Sequence, residues 1–263
     1  MNMQLQNIRM HSVSKPCVSS NPATIDGIRS FCRLTRLLGD IRLAYVSIPT
    51  FVKTMLPAGF RDSSHGARAR PILAVDFKQV FLAESEIRQV NRFYALKRQM
   101  EWMAGRLAVK VLVTAAGIAA NLQSVRIEHR EKGAPYLAML PDRAISISHS
   151  NKWAVAGLAP EGRSAIGLDI EAVQTDTIDG LLNIAFSLRE IDELAGADLS
   201  ELFNRWTCKE AYLKYIGLGF YENLKQVEIL KSGIHHRGRP IHGLMCHTAE
   251  PFPGYRMALV AEA

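Results

Sequence analysis

The stretch G-L-D-I-E at residues 167–171, followed about forty residues later by W-T-C-K-E-A-Y-L-K at residues 206–214, decides the fold of this chain. The first stretch alternates with a period of two, which predicts a strand with Asp169 and Glu171 on one face. In the second, Glu210 and Lys214 stand four residues apart and share one face of a predicted helix. Three carboxylates beside an ammonium are groups that suit a hard divalent cation and a phosphate.

Each stretch alone has a simpler interpretation. An isolated pair of carboxylates two residues apart is more often a solvated edge of a strand. A glutamate four residues before a lysine is often a surface ion pair worth a few tenths of a kcal/mol. The spacing alone does not exclude these interpretations.

Periodicity predicts a mixed chain of helices and strands around these stretches. The pattern is helical from residue 84 and then over residues 97–116, 188–194 and 202–216. Strands are predicted at residues 145–148, 154–159, 166–171, 226–230 and 255–260. Both 41–46 and 71–77 are candidates for the first core strand, and the sequence does not decide between them.

A third polar motif, S-I-S-H-S at residues 146–150, ends the strand that begins at residue 145. A histidine between serines can hydrogen-bond a phosphate, although such a residue is more often a solvated part of a turn.

A faint internal repeat is also present. Four residue types recur 104 positions later, which suggests two lobes with the same order of elements. The pairs are Glu86 and Glu190, Ile87 and Ile191, Trp102 and Trp206, and Lys110 and Lys214.

Composition excludes several classes of protein. The chain has 263 residues, 48% apolar and 22% charged, which is typical of globular domains. It has no apolar run long enough to span a membrane and no secretion signal, so we expect a soluble cytoplasmic protein without membrane partners. The net charge of +7 arises in residues 1–70, whereas the remainder is balanced. This distribution argues against a nucleic-acid partner.

Residues 1–35 are basic and weakly periodic, which predicts a poorly ordered extension; a transit peptide is the less favoured alternative. The four cysteines lack C-x-x-C spacing, so we expect free thiols rather than disulfides or a zinc site. Histidines near the C-terminus have no regularly spaced acidic or cysteine partner, and we expect no metal role for them. They are His235, His236, His242 and His247.

The three motifs, in this order and at these separations, resemble the signature of the 4'-phosphopantetheinyl transferase superfamily. Lesser agreement comes from R-F at 92–93, Arg98, G-R at 105–106, K-G-A-P at 132–135 and P-G-Y-R-M-A at 253–258. The resemblance covers roughly residues 80–260. It implies transfer of phosphopantetheine from coenzyme A to a serine of an apo carrier protein, which releases adenosine 3',5'-bisphosphate.

The resemblance also implies roles for individual residues. Asp169, Glu171 and Glu210 would hold Mg²⁺, which also binds the pyrophosphate of the coenzyme. Glu210 would take the proton of the serine, directly or through water, and Lys214 would stabilise the leaving phosphate. The residues implied to contact coenzyme A are Ser148, His149, Arg98, Arg106, Lys132 and Lys209.

The chain length favours the long, surfactin-synthetase-activating type of the family. That type implies an α+β pseudo-dimer acting as a monomer, with an N-terminal lobe at residues 36–160, a C-terminal lobe at residues 161–263 and the active site between them. Its partners would be apo acyl or peptidyl carrier domains of fatty-acid, polyketide or nonribosomal peptide synthases. Two alternatives remain: a Mg²⁺-dependent hydrolase of nucleotides or pyrophosphate, and a non-catalytic module that binds coenzyme A or a carrier protein.

Overall fold

The structure, a computed structural model, describes residues 28, 32–38, 40–55, 79–176 and 178–263. Two antiparallel sheets form its centre. The first contains, side by side, β1 (Cys32–Leu37), β2 (Ile41–Ser47), β6 (Trp153–Leu158) and β5 (Ile145–Ser150). The second contains β11 (Leu244–Ala249), β12 (Tyr255–Glu262) and β7 (Gly167–Ala172). Strands β5 and β7, which carry the predicted site residues, are therefore edge strands of different sheets.

Helices and two small hairpins surround the sheets, which confirms the mixed α+β class. The helices are α1 (Ile48–Met55), α2 (Glu84–Val90), α3 (Leu96–Ala115), α4 (Ile178–Ala185), α5 (Leu188–Glu193) and α6 (Leu199–Tyr215), with 3-10 turns at Gly219–Tyr221 and Leu224–Gln226. Strand β3 (Ile127–His129) pairs with β4 (Pro135–Leu137), and β9 (Gly233–His236) pairs with β8 (Val227–Leu230) and β10 (Arg239–Pro240). None of the helices in these described segments is long and apolar enough to cross a membrane.

The helices and sheets stack in layers, with alternate residues of each strand facing opposite layers. Along β2, Leu43 and Tyr45 pack in a cluster with Leu168 and Ile170 of β7, so this face of the first sheet meets the second. The opposite face of the first sheet packs against α3. Helix α6 covers the outer face of the second sheet. Because Asp169 and Glu171 alternate with Leu168 and Ile170, they lie on the face of β7 that is turned away from this cluster.

The order of elements in the first half of the chain recurs in the second. The first series is β2, α1, α2, α3, the β3–β4 hairpin, β5 and β6; the second is β7, α4, α5, α6, the β8–β9 hairpin, β11 and β12. Strand order also corresponds, as β2-β6-β5 matches β7-β12-β11. At the offset of 104, the carboxylates of Glu86 and Glu190 accept equivalent hydrogen bonds of 2.9 Å from the backbone N–H groups of Ala83 and Ser187.

The structure corrects one expectation about the N-terminal part and confirms another. Strand β1 begins at Cys32, so residues 32–35 belong to the first sheet rather than to the extension. Residues 41–46 are confirmed as a strand and form most of β2, which is buried on both faces. The other candidate, residues 71–77, and most of the predicted extension lie outside the described residues.

The cysteines also differ from expectation. Cys208 in α6 and Cys246 in β11 form a disulfide across a Cα–Cα distance of 6.4 Å, so the prediction of free thiols is wrong for this pair. Cys32 is free, and Cys17 lies outside the described part of the chain. The pairing was missed because 38 residues separate the two cysteines, and only the packing of α6 on the second sheet brings them together.

Candidate functional site

Asp169 lies in the middle of β7 and is 3% exposed. Its Oδ1 accepts two hydrogen bonds of 2.7 Å, from the hydroxyl of Ser148 and the ammonium of Lys214. Its Oδ2 is buried and has no hydrogen-bond partner among the described residues. A buried carboxylate oxygen left without a donor is costly unless a cation or a ligand group satisfies it. Asp169 is therefore held by one oxygen and leaves the other available.

Glu171, two residues along the strand, points to the same side. Its Oε2 accepts a hydrogen bond of 2.7 Å from the hydroxyl of Ser150, and the side chain of Trp206 also hydrogen-bonds it. Burial, with a further contribution from the charge of Asp169, raises its pKa to about 7. Two neighbouring carboxylates in a dry site resist being ionised together, and an added cation would relieve that repulsion.

Glu210 faces this pair from α6. It is 5% exposed, and its Oε1 is buried with no hydrogen-bond partner in the described part of the chain. Burial and the charge of Asp169 raise its pKa to about 7, while Lys214 opposes the shift. The three carboxylates therefore share one electrostatic environment, as the two sequence motifs predicted.

The close approach of β7 to α6 depends on Gly167. A Cβ at this position would overlap the carbonyl oxygen of Ala211 and crowd the amide nitrogen of Tyr215. Because both atoms belong to the helix backbone, no side-chain rotation could make room. The glycine thus lets the strand reach the helix directly, one turn from Glu210 and Lys214.

The carboxylates suit a hard cation in their chemistry but do not by themselves complete a metal site. Within the described segments, no three His, Cys, Asp or Glu side chains converge closely enough to hold a metal ion. The unpartnered oxygens of Asp169 and Glu210 are nevertheless the donors that Mg²⁺ prefers, and Mg²⁺ usually takes only one or two protein carboxylates with water and phosphate. The residues present therefore fit such an ion.

A cleft of about 330 Å³ leads to Glu210 and Lys214. One wall consists of residues 132–135 and the side chains of Ile145 and Ile147 on β5. The other wall continues from α6 to Tyr221, whose side chain is 75% exposed. The cleft is thus mostly apolar along its length, with charged groups at its inner end and Lys132 at its rim.

His149 lies on the opposite face of β5 from Ser148. Its Nδ1 is 3.9 Å from a carboxylate oxygen of Glu101 in α3. Burial lowers the pKa of His149, the charge of Glu101 opposes the shift, and Lys214 and Arg98 add to it. A cavity of about 190 Å³ opens beside His149 and shares Gly133, Pro135 and Ile147 with the cleft.

Arg106 and Lys209, predicted to contact the coenzyme, both make buried contacts within the protein. Arg106 is 3% exposed, lies 4.0 Å from the centre of the Trp102 ring and donates a hydrogen bond of 2.9 Å to Glu86. Lys209 is fully buried, and its ammonium donates to Glu190 at 2.7 Å and to the carbonyl oxygen of Ala185 at 2.5 Å. Lys209 is thus held inside the core, whereas Arg106 also lines the cavity beside His149. Contact of these two residues with the coenzyme stays a prediction.

Ser148 also differs from its predicted role. Its hydroxyl is buried and donates to Asp169 rather than facing the cleft. Sequence reasoning gave no role to Ser150 or Glu101, although Ser150 holds Glu171 and Glu101 faces His149. The period of two in S-I-S-H-S was the available signal for Ser150, since it places alternate serines on one face.

Comparison with known proteins agrees with the motifs. Residues 165–259, which include β7 and α6, match the model of the 4'-phosphopantetheinyl transferase superfamily. The chain is 28% identical over 159 residues to the 4'-phosphopantetheinyl transferase HetI of Nostoc sp., covering 56% of this chain and 64% of the relative. It is 27% identical over 178 residues to the human L-aminoadipate-semialdehyde dehydrogenase-phosphopantetheinyl transferase, covering 62% and 55%.

The matched region spans less than two thirds of the length of either of these relatives. A shorter relative is covered more completely: the holo-[acyl-carrier-protein] synthase of Lactococcus lactis is 34% identical over 88 residues, which are 30% of this chain and 74% of the relative. These matches and the arrangement of the two motifs show that the chain belongs to the 4'-phosphopantetheinyl transferase superfamily.

Proposed function

We propose that this protein transfers 4'-phosphopantetheine from coenzyme A to a serine of an apo acyl or peptidyl carrier protein, with Mg²⁺ as cofactor. The observation that carries the proposal is that the charges of Asp169, Glu171 and Glu210 act on one another beside Lys214, where Glu210 and Lys214 line an apolar cleft. The relatives named above as phosphopantetheinyl transferases support the same reaction.

Asp169, Glu171 and Glu210 are the residues that would hold the metal. When bound, Mg²⁺ would neutralise the pyrophosphate oxygens of the coenzyme and keep them in line for attack. Oδ2 of Asp169 and Oε1 of Glu210 are the oxygens best suited to bind the metal, since both are buried and no described residue donates a hydrogen bond to either.

In the proposed reaction, the serine hydroxyl oxygen of the carrier bonds to the β-phosphorus, and the bond from this phosphorus to the bridging oxygen breaks. Glu210 takes the hydroxyl proton, directly or through water. The leaving adenosine 3',5'-bisphosphate departs with the electron pair. Lys214 stabilises that charge, because its ammonium is already fixed beside the site by Asp169.

The cleft suggests where the coenzyme binds. Its apolar wall at Ile145, Ile147 and Pro135 suits the pantetheine arm, and its inner end holds the reacting groups. We place the nucleotide phosphates near His149, Arg98 and Lys132. Arg98 lies 5.7 Å from the centre of the Phe93 ring, and its charge lowers the pKa of His149, so the guanidinium lies near the imidazole.

We further propose that the chain is a pseudo-dimer whose active site lies between lobes at residues 36–160 and 161–263. The recurring order of elements and strands supports this division. The site draws β5 from one series and β7 with α6 from the other. The monomeric state and the cytoplasmic location expected from the sequence remain predictions.

The carrier protein would approach from the side of Glu171. An open groove there is lined by Ile184, which is 68% exposed, together with Leu181 and Trp206. Such an exposed apolar surface beside reacting groups suits a partner with an apolar helix face.

Mass spectrometry of apo carrier proteins incubated with this protein, coenzyme A and Mg²⁺ tests the proposal. We expect the carrier to gain the mass of phosphopantetheine and the gain to disappear in Glu210→Gln. Glu201→Gln is the matched control, because Glu201 lies on the same helix, two turns away from the site.

The same experiment separates the alternatives. Release of adenosine 3',5'-bisphosphate without any carrier would indicate a hydrolase. Binding of coenzyme A with no gain of mass in several carriers would indicate a non-catalytic module. Either result would overturn the proposed transfer.

A further inference from the structure

Three serines on β5 join the two central sheets at their edges. The hydroxyl oxygens of Ser146, Ser148 and Ser150 accept hydrogen bonds from the backbone N–H groups of successive alternate residues on β7. The partners are Leu168 at 3.0 Å, Ile170 at 3.4 Å and Ala172 at 3.1 Å. Because side chains alternate along a strand, the three hydroxyls face the same side and form a ladder between the two edge strands.

Two of the three hydroxyls also donate to the candidate metal-binding carboxylates. Ser148 donates to Oδ1 of Asp169, and Ser150 donates to Oε2 of Glu171, each at 2.7 Å. Ser146 accepts the same kind of N–H bond, but no carboxylate lies on β7 opposite it. Two of the three serines therefore bind site carboxylates, and Ser146 binds only the backbone of β7.

The N–H bonds fix the direction in which the serines donate. A hydroxyl oxygen that accepts from the backbone has its one proton left for another acceptor. Each chain of N–H, hydroxyl and carboxylate polarises along its length, which strengthens the last bond. The backbone of β7 thus fixes the serine hydroxyls of β5. These hydroxyls in turn orient the carboxylates of β7.

The effect on Asp169 is specific. Ser148 and Lys214 both bind Oδ1, so Oδ2 has no partner and stays buried. A carboxylate free to rotate would expose either oxygen and would lose entropy when a cation fixed it. With Oδ1 held twice, the free oxygen is already oriented before a cation arrives.

We propose that Ser148 and Ser150 are positioning residues that preorganise Asp169 and Glu171 for a divalent cation, whereas Ser146 joins the sheets and lines the cleft without binding either carboxylate. This inference rests on the proposed use of a cation in the transfer reaction. It also gives Ser148 a role other than contact with the coenzyme.

Calorimetric titration of the full chain with Mg²⁺, with and without coenzyme A because Ser146 lines the cleft, tests the inference. Ser148→Ala, Ser150→Ala and Ser146→Ala are compared with the unaltered protein. Loss of groups that orient metal ligands typically weakens metal binding 10- to 100-fold. We expect a weakening of about that size in the first two variants and a change of less than about threefold in Ser146→Ala. Ser148→Thr, which keeps the hydroxyl, should recover most of the affinity.

Thermal unfolding of the same variants separates positioning from general damage. Each alanine variant loses a hydrogen bond from the backbone of β7, so all three should lower Tm. Ser148→Ala and Ser150→Ala also lose the bond to a carboxylate and should lower it somewhat more. Equal weakening of Mg²⁺ binding in Ser146→Ala and Ser148→Ala would overturn the inference, as would unchanged binding in both Ser148→Ala and Ser150→Ala. If Ser148→Ala does not fold, Ser150→Ala and Ser148→Thr still decide.

The outcome is distinguishable from failure of the proposed function. If the unaltered protein binds Mg²⁺ and the serine variants behave as expected, but no carrier is modified, the inference holds and the transfer is wrong. If carriers are modified while the three serine variants bind Mg²⁺ alike, the transfer holds and the inference is wrong. Absence of Mg²⁺ binding by the unaltered protein would remove the basis of the inference.

Discussion

The ammonium of Lys214 lies 2.7 Å from Oδ1 of Asp169, which is 45 residues away in the chain, and 3.1 Å from the carbonyl oxygen of Leu168. Helix α6 is thereby joined to β7 at the point where both carry candidate site residues. The same lysine lowers the pKa of Glu210, whereas burial and Asp169 raise it. Lys214 therefore acts on both carboxylates as well as on any anion bound in the cleft.

Replacing Lys214 by Met should abolish most of the proposed transfer. The buried carboxylate of Asp169 loses the cation that binds it, and the pKa of Glu210 rises further because the lysine no longer opposes the shift. We expect kcat to fall by about 100-fold or more. The rising limb of the pH–rate profile should move to higher pH. Lys225→Met, which changes an exposed lysine, is the control.

A fall in rate without a shift of the pH profile would contradict the electrostatic part of this account. The lysine would then act on the leaving group alone. An unchanged rate would exclude Lys214 from the reaction.

The stability of the metal-free protein should decrease as the pH rises from about 4.5 to about 7. In the folded chain, Glu171 and Glu210 keep their protons up to about pH 7, because burial raises the pKa of both from 4.5. In the unfolded chain the protons leave near 4.5, so the folded state binds more protons between these values. The contribution is fully present below pH 4.5 and is lost as the pH passes 7.

Chemical denaturation at a series of pH values measures this effect. Glu210→Gln should reduce the pH dependence, because an uncharged amide cannot ionise in the site. Mg²⁺ should stabilise the unaltered protein more at pH 8 than at pH 6, since protons compete with the cation for these carboxylates. A stability that rises between pH 5 and pH 7 by the same amount in both proteins would contradict the raised pKa values.

Some of the site was predictable from local geometry. Alternation along residues 167–171 placed Asp169 and Glu171 on one face, and the four-residue spacing placed Glu210 with Lys214. These relationships depend only on the period of a strand or a helix. Likewise, the long apolar periods predicted α3 and α6 to within a few residues.

Other parts depend on packing that the sequence does not display. Lys209 lies beside Glu210 in sequence, but its side chain points towards α5 and binds Glu190. Helix α6 packs on more than one side, so its charged residues do not all face the site. The periodicity of apolar residues identifies the face of a helix that packs on the core. It does not show which charged residues of a largely buried helix pair with other buried residues. The link between Ser150 and Glu171 was missed for the same reason, since it joins two sheets.

The buried position of Lys209 gives a prediction that distinguishes a structural role from contact with the coenzyme. Lys209→Met leaves Glu190 buried without a cation, and breaking a buried ion pair in this way typically costs about 3–5 kcal/mol. We expect that loss in the free energy of unfolding, with little change in the KM for coenzyme A. The double variant Lys209→Met/Glu190→Gln should recover part of the stability. A raised KM with unchanged stability would restore the role predicted from the sequence.

The most local prediction concerns Gly167. A Cβ at this position would overlap the carbonyl oxygen of Ala211, so Gly167→Ala must push β7 away from α6. Overpacking typically costs about 1–3 kcal/mol, and a collision with helix backbone belongs at the upper end of that range or above it. The displacement would also separate Asp169 from Glu210 and Lys214. We therefore expect lower stability together with weaker Mg²⁺ binding.

Gly180→Ala is the matched control, because it makes the same change in helix α4 where a Cβ meets nothing within 4 Å. A glycine replaced by alanine at a compatible position usually stabilises by about 0.4–1 kcal/mol. Thermal unfolding and Mg²⁺ titration of both variants check the argument. If Gly167→Ala keeps full stability and metal affinity, then direct contact between β7 and α6 does not set the distance between the carboxylates, and the geometry of the site has another origin.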